Sequence, residues 1–379
     1  MKYPFNKPFL TGKEKDYIIQ AVETGKISGD GKFTKLCHEF FEKRYCFKKA
    51  MLTTSCTDAL EMCAILLDFK PGDEVIIPSF TFVSTANAFA LRGIKIVFAD
   101  SSPENPNIDV SKLEELITPN TKAIAIVHYA GIACDMEPLM KLTEKYGIQL
   151  VEDAAHSIDS FYKNQPLGTF GSLSAFSFHE TKNVISGEGG MLVLNDGNLI
   201  ERAEIIREKG TNRSAFFRGE VDKYNWVDIG SSFLPSDIIA AFLYAQLENL
   251  DMIQKRRISI WEQYHNALKD LAGEGLFSLP VIPGYAVNNG HMFYMICRSL
   301  KERQGLIDHL KKNDILPTFH YQSLHKSPYF KDKHDHGREL PNSDLYSQRL
   351  LRLPLYYELT DEGVSFISSK IREFYSAGK

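Results

Sequence analysis

Four short stretches carry residue types that can do chemistry together. In "VEDAAHS" (151–157) an apolar run ends on Glu152 and Asp153, followed by two alanines and His156. A carboxylate at a strand end in a partly buried cleft needs a cationic partner, or it takes up a proton. Ala154 and Ala155 leave room beside it for a flat group. Asp153 reads either as the cap of a following helix or as the partner of a protonated heterocycle. In "SFHETKNVISGEGG" (177–190), Lys182 follows a strand and precedes Gly187, Gly189 and Gly190. Most lysines are simply solvated. This one is flanked by Ser177, Thr181 and Asn183, polar groups that suit a phosphate and a Schiff base. A lysine in that role must be desolvated enough to be neutral part of the time.

The other two stretches complete a set. "TTSCTDALE" (53–61) brings Ser55 and Thr57 to a helix entry, where free N–H groups and the helix dipole hold an anion; the bland reading is an ordinary N-cap. "PSFTFVSTANA" (78–88) places Phe82 a few residues after a strand, to stack on a flat ring or to fill core. An anion site, a stacking aromatic, a carboxylate and a lysine are together what pyridoxal phosphate demands. The carboxylate keeps the pyridine nitrogen protonated so the ring draws electrons. The lysine holds the cofactor and then moves the proton.

Such residues need a scaffold that gathers strand ends. The first half alternates short apolar strands, "GDEVIIP", "KIVFAD", "KAIAIVH" and "IQLVED", with helical segments. "KFTKLCHEFFEKRYC" sets Phe33, Leu36, Cys37, Phe40 and Phe41 on one helical face. "TDALEMCAILLDF", "VSTANAFALRG" and "MEPLMKLTEKYG" read as further helices, and one more is expected between "KIVFAD" and "KAIAIVH". This rhythm predicts an α/β fold with right-handed crossovers and a largely parallel sheet. Its ligands bind beyond the carboxyl ends of the strands. After Leu173 come closely spaced strands, "LSAFSFH" and "GGMLVLN", then a polar and aromatic insertion, "GTNRSAFFRGEVDKYNW". A long helical segment from Pro235 leads to a second domain with "HMFYMICR" as a strand and "RQGLIDHLKKND" as a helix. The expected division is an arm over 1–12, a large domain over 13–245 and a smaller C-terminal α+β domain over 246–379.

Bulk properties exclude several classes. The 379 residues carry a net charge of −4, which gives no reason to expect nucleic acid or an acidic membrane as partner. No window of ~18 apolar residues predicts a membrane span, and the charged, proline-containing start does not read as a signal peptide. The six cysteines form no CxxC pair and match no zinc spacing. They are expected to be reduced thiols of a cytoplasmic protein, and no metal site is expected.

The motifs "EDAAHS", "SFHETKN…GEGG" and "PSFTFVSTANA", in this order, resemble the sugar-nucleotide aminotransferases of the DegT type, which are fold-type-I pyridoxal phosphate enzymes. The resemblance extends over nearly the whole chain, through "FHYQSLH" and "RLLRLPLYYEL" near the end. Within that family, the segment Arg207 to Asp237 is most similar to the members that make dTDP-4-amino-4,6-dideoxygalactose. The resemblance implies that Lys182 is the Schiff-base lysine and that Asp153 contacts the pyridine nitrogen. Thr57, the Asp58 backbone and Ser177 would hold the phosphate, Phe82 would stack on the ring, and His156 would lie beside its hydroxyl. Ser232 stands where relatives reach across from the second subunit of a homodimer. Lysine rather than histidine at 182 favours transamination over sugar dehydration. The implied reaction moves an amino group from L-glutamate to a 4-keto-6-deoxy nucleotide sugar. Arg213, Arg218, Lys223 and Tyr224 would touch the nucleotide diphosphate, unless the insertion is a solvated loop. His320, Tyr321 and His325 would line the sugar side, unless they are structural. Competing expectations are a 3-keto or gluco-specific aminotransferase of the same family and a nucleotide-dependent oxidoreductase without pyridoxal phosphate. Against the last, no GxGxxG follows the first strand.

Overall fold

The computed structural model describes residues 1–333 and 338–377. Positions 334–337 and 378–379 of the expected C-terminal domain lie outside the described residues. In chain order the first strands are β1 (Lys49–Thr53), β2 (Glu74–Pro78), β3 (Lys95–Ala99), β4 (Thr121–Val127) and β5 (Gln149–Asp153). A short hairpin, β6 (Phe161–Tyr162) and β7 (Gln165–Pro166), precedes β8 (Leu173–Ser177) and β9 (Gly190–Leu194). Seven of these form one sheet in the order β1-β9-β8-β5-β4-β2-β3. Only β9 runs against the rest.

Strand periodicity builds the layers around that sheet. Val75 and Ile77 of β2, with Ile96, Phe98, Ala123 and Ala125, pack on Cys63 and Phe89 of the helices Cys56–Leu66 and Val83–Ala90. Ile76, Val97, Ile124 and Ile126 face the other way, toward Met136 and Leu139. Alternate residues of one strand thus serve two cores, which is why these strands read as unbroken apolar runs. Parallel β2, β4, β5 and β8 end at the same edge, so Ser79, His128, Asp153 and Ser177 are gathered there.

A second sheet, fully antiparallel, has the order β10-β12-β14-β13 from β10 (Phe277–Ser278), β12 (Phe293–Cys297), β13 (Thr318–Phe319) and β14 (Leu350–Leu353). Strand β11 (Ala286–Val287) instead joins β6 and β7 in a small third sheet. Helices Leu250–Gly273, Leu300–Lys312 and Asp361–Ala377 close the second core, with Tyr264, Leu310 and Ile367 against Phe293 and Leu351. Among the described residues no helix is long and apolar enough to cross a membrane. All six cysteines are free, four of them buried.

Several details depart from the sequence reading. Between β3 and β4 the expected helix is two 3₁₀ turns, Val110–Lys112 and Glu114–Leu116. Asp109 caps the first turn, and Pro119 prevents a longer run. The segment after Pro235 is two helices, Asp237–Leu247 and Leu250–Gly273, rather than one. The two parts of the chain also interpenetrate. Leu324 and Leu340 belong to the core of the large sheet, and Asn342 and Ser343 donate backbone N–H groups to Asp100. The N-terminal arm starts at the second core, where Tyr3 bridges Ile315, and runs on to the large-sheet side, where Phe9 stacks on Tyr357 at 3.8 Å beside the cluster of Phe41 and Phe178.

Candidate active site

The end of β5 answers what two adjacent acids do there. Successive strand residues point to opposite faces. Glu152 is fully buried and accepts N–H groups from Gly168, Phe170 and Gly171 at 2.8, 2.8 and 2.7 Å. His128 Nδ1 accepts from the Cys134 N–H, so its Nε2–H donates to Glu152 at 3.0 Å. Burial pushes the Glu152 carboxyl up, but His128 and these N–H groups outweigh it and hold the carboxyl below its ordinary range. Glu152 is therefore scaffold. Asp153 turns the other way, into a cavity of about 580 Å³. Its Oδ2 accepts the Thr85 hydroxyl at 2.6 Å and its Oδ1 the Ala155 N–H at 3.2 Å. Burial outweighs both bonds and raises its pKa.

Lys182 lines the same cavity. It lies in the turn after β8, where its own N–H bonds His179 O at 2.9 Å. Burial depresses its pKa to about 8, against the opposing pull of Cys56 and Asp153. Acid and amine thus face one space, each pushed toward its neutral form, as in a site built around a charged guest.

The anion end is the start of helix Cys56–Leu66. Ser55 caps it by accepting the Asp58 N–H at 3.0 Å, while the N–H groups of Cys56 and Thr57 have no partner within the helix. Thr57 Oγ1 and Ser84 Oγ are 2.7 Å apart and both line the cavity with Ser177. Gly190 lets β9 pass close by: a Cβ there would lie 2.3 Å from the Cys56 nitrogen. Asp58 is not brought to the cavity. Its carboxylate accepts the Thr54 hydroxyl and its N–H is occupied by the cap. Phe82, 55% exposed at the head of helix Val83–Ala90, borders the cavity and lies 6.0 Å from Tyr321. A helix start with the cavity-lining hydroxyls of Thr57, Ser84 and Ser177, an aromatic wall, a carboxylate and a buried amine fit pyridoxal phosphate.

On the remaining wall, His156 stacks on His291 at 4.3 Å. His156 Nδ1 accepts the Ala130 N–H at 3.3 Å, so neutral His156 presents Nε2–H. His291 donates from Nδ1 to Asn183 Oδ1 at 2.7 Å, the Asn183 amide being fixed by its bonds to Gln254 and the Asn289 carbonyl. Burial depresses both rings far below their ordinary pKa. His320 and Tyr321 also line the cavity, and His320 meets the Tyr129 hydroxyl at 3.0 Å. His325 is not there: it is buried beside Ser79, 2.7 Å from its hydroxyl.

Besides Asp58 and His325, five expected residues lie away from the cavity of this chain. Arg218 is held by Glu204 and Glu220 at 2.8 and 2.7 Å. The Arg213 guanidinium covers Phe217 at 5.1 Å. Lys223 and Tyr224 are exposed in the insertion, and Ser232 is exposed where it bridges Glu208. In their place the cavity includes Phe5, His291 and Arg352, which the sequence did not single out, and Thr85, buried behind the cavity wall, orients Asp153. Thr85 lies in the motif "PSFTFVSTANA", and Arg352 in "RLLRLPLYYEL". Nothing local marks Phe5 or His291, which arrive by long-range packing.

Residues 8–372 match the DegT/DnrJ/EryC1/StrS aminotransferase family. The chain belongs to that family. GDP-perosamine synthase of Escherichia coli O157:H7 is 33% identical over 99% of this chain and 100% of its own length. The Helicobacter pylori aminotransferase PseC, involved in the biosynthesis of pseudoaminic acid, superposes with a TM-score of 0.91 at 25% identity, covering 99% of each chain. Streptococcus pneumoniae Spr1654 in its PLP form gives a TM-score of 0.90 at 25% identity, over 99% of this chain and 98% of that one. The mixed, mostly parallel sheet with its smaller partner is thus a fold-type-I aminotransferase architecture.

Proposed function

We propose that this aminotransferase uses pyridoxal 5′-phosphate to move an amino group from L-glutamate to a 4-keto-6-deoxy nucleotide sugar, converting dTDP-4-keto-6-deoxyglucose to dTDP-4-amino-4,6-dideoxygalactose in the cytoplasm. The observation that carries the reading is the pair Asp153 and Lys182 facing one cavity, each pushed toward neutrality by burial. When bound, the cofactor supplies an electron-withdrawing ring that stabilises negative charge on the carbon losing its proton.

The chain's own residues do the rest. Asp153, steadied by Thr85 and Ala155, holds positive charge on the ring nitrogen. Thr57, Ser84, Ser177 and the first N–H groups of helix Cys56–Leu66 hold the phosphate, taking the place given to Asp58. Phe82 and the Nε2–H of His156, both on the cavity wall, would supply a stacking surface and a hydrogen-bond donor to the bound cofactor. Lys182 near a pKa of 8 is neutral often enough to take a proton from the donor's α-carbon onto Nζ and hand it to a second carbon, the one the bound cofactor would present. Within the acceptor half of the cycle Lys182 works in the opposite direction.

The substrate follows from the resemblance of the segment Arg207 to Asp237 to enzymes making dTDP-4-amino-4,6-dideoxygalactose. A second copy of the chain completes the site by bringing Ser232 and the insertion to it. The relative named GDP-perosamine synthase makes a GDP-linked sugar the competing acceptor. The test is turnover of cofactor-loaded enzyme with dTDP-4-keto-6-deoxyglucose and L-glutamate, with the product's ring couplings read by NMR. Small couplings at carbon 4 are expected for the galacto product. Large couplings, or turnover only with a GDP-linked or 3-keto sugar, overturn the substrate assignment.

A further inference from the structure

His291 closes a buried polar circuit that joins the turns carrying His156 and Lys182. It lies just before β12, and its backbone is tied to helix Leu250–Gly273. Gly290, at φ +61°, lets the chain pass that helix: a Cβ there would lie 2.7 Å from the Arg257 carbonyl carbon. Arg257 then donates from Nε to the Gly290 carbonyl at 3.2 Å and from its terminal nitrogen to the His291 carbonyl at 2.7 Å.

Two backbone carbonyls, which can only accept, set the direction of every side-chain bond in the circuit. Gln254 gives its Nε2–H to the Ile158 carbonyl at 3.3 Å, so its Oε1 accepts from Asn183 Nδ2 at 2.8 Å. Asn183 Nδ2 also donates to the Asn289 carbonyl at 3.0 Å. Asn183 Oδ1 must then accept, and His291 Nδ1 must be the donor at 2.7 Å. Asn289 ties the other side, its Nδ2 donating to the His156 and Ile158 carbonyls at 2.7 Å each. The circuit thus starts in the turn of His156, passes the residue next to Lys182, and returns to His156 through two rings 4.3 Å apart and 19° from parallel.

Asn183, Gln254, Asn289, His291 and His156 are all buried. Buried polar groups are costly when a bond is missing, and a fully bonded set admits one arrangement. His156 needs such a constraint. Its Nδ1 accepts one N–H, from Ala130 at 3.3 Å, and a single bond of that length does not fix the plane of a ring. The face of His291 does.

We propose that His291 is a positioning residue of the active site: its ring face sets the plane of His156, and its Nδ1–H, through Asn183, holds the turn that carries Lys182. This rests on the pyridoxal phosphate chemistry proposed above.

The experiment separates the two contacts. His291→Phe keeps a ring face and removes the donor. His291→Asn offers an amide N–H near the place of Nδ1 and removes the face. His291→Ala removes both. Each is loaded with cofactor, and two signatures are read: the visible circular dichroism per bound cofactor, and the pH midpoint of the visible band, which follows the Lys182 nitrogen. His291→Ala is expected to lose most of the dichroism and to move the midpoint by about one pH unit, a tenfold change in proton affinity. His291→Phe is expected to recover the dichroism alone, and His291→Asn the midpoint alone. Wild-type values of both signatures in all three variants, whatever their melting temperatures, overturn the proposal, because a merely structural histidine costs stability and leaves the bound cofactor unmoved. Neutron diffraction from wild-type crystals tests the circuit without a variant. Protons on His291 Nδ1 and His156 Nε2 are expected, and a bare His291 Nδ1 overturns the proposal. A loaded wild type with no visible band ends the cofactor chemistry and this proposal together; a wild-type band that the His291 variants leave unchanged ends this proposal alone.

Discussion

Asp153 and Lys182 meet across one cavity, and burial works against the charge on each. Asp153→Asn keeps the shape but cannot hold a cation, so kcat is expected to fall about a hundredfold to a thousandfold, by analogy with loss of one electrostatic stabiliser; steady-state rates near wild type would remove Asp153 from its role. Lys182 makes a separate prediction about stability. Its folded-state pKa is about 8 against an ordinary 10.5. Between those values the unfolded chain holds more protons than the folded one, so the stability of cofactor-free protein rises with pH across that window. Below it the burial cost is present in full. The melting temperature of cofactor-free Lys182→Met is therefore expected to exceed that of wild type most near neutral pH, with the gap closing toward pH 10.5. A gap that does not change with pH would contradict the depressed pKa. At this scale the sequence was informative where chemistry and a strand end coincide. Asp153, Lys182, Thr57, Ser177, Phe82 and His156 were legible, and all border one cavity. Arg352 and His291 were not, because strands far apart in the chain bring them in.

The elements explain why neighbouring residues divide the labour. Strand β5 ends on two acids of opposite facing, one fixed by three backbone N–H groups and His128, the other aimed at the cavity. Glu152→Ala leaves those donors buried and unpaired, and is expected to lower stability by about 3 kcal/mol or more. Urea unfolding would show it, and a loss near zero would mean the network carries no weight. Because the Glu152 carboxyl is held below its ordinary value, its contribution is present at neutral pH and lost as pH falls through its folded-state pKa. The parallel strands were readable because they are apolar on both faces. Short pieces were not: β13 has two residues and β10 two, too few for any periodicity. The 3₁₀ turns before β4 show local capping at Asp109 overriding a helical expectation.

At the scale of the whole molecule, the insertion after Gly210 leaves large apolar groups in water. Phe217 is 70% exposed and Trp226 80%, with Tyr224 and Ile229 beside them in sequence. Exposed apolar groups of this kind suit an interface, and the occupant we propose is a second copy of this chain, placing Ser232 at its partner's cavity. Phe217→Asp with Trp226→Asp is expected to convert dimer to monomer in sedimentation and to weaken cofactor retention; a monomeric wild type with full activity would end the shared-site proposal. The exposure of these groups was not legible, since sequence shows aromatic residues but not that one chain leaves them uncovered. Everything functional depends on a single event at the cavity, and one measurement reaches it directly: the visible spectrum of cofactor-loaded protein before and after L-glutamate, in wild type and Lys182→Ala. The account expects a visible band in wild type that glutamate bleaches and a nucleotide 4-keto sugar restores, and neither behaviour in Lys182→Ala. A Lys182→Ala protein with the wild-type band and the same glutamate response would contradict it.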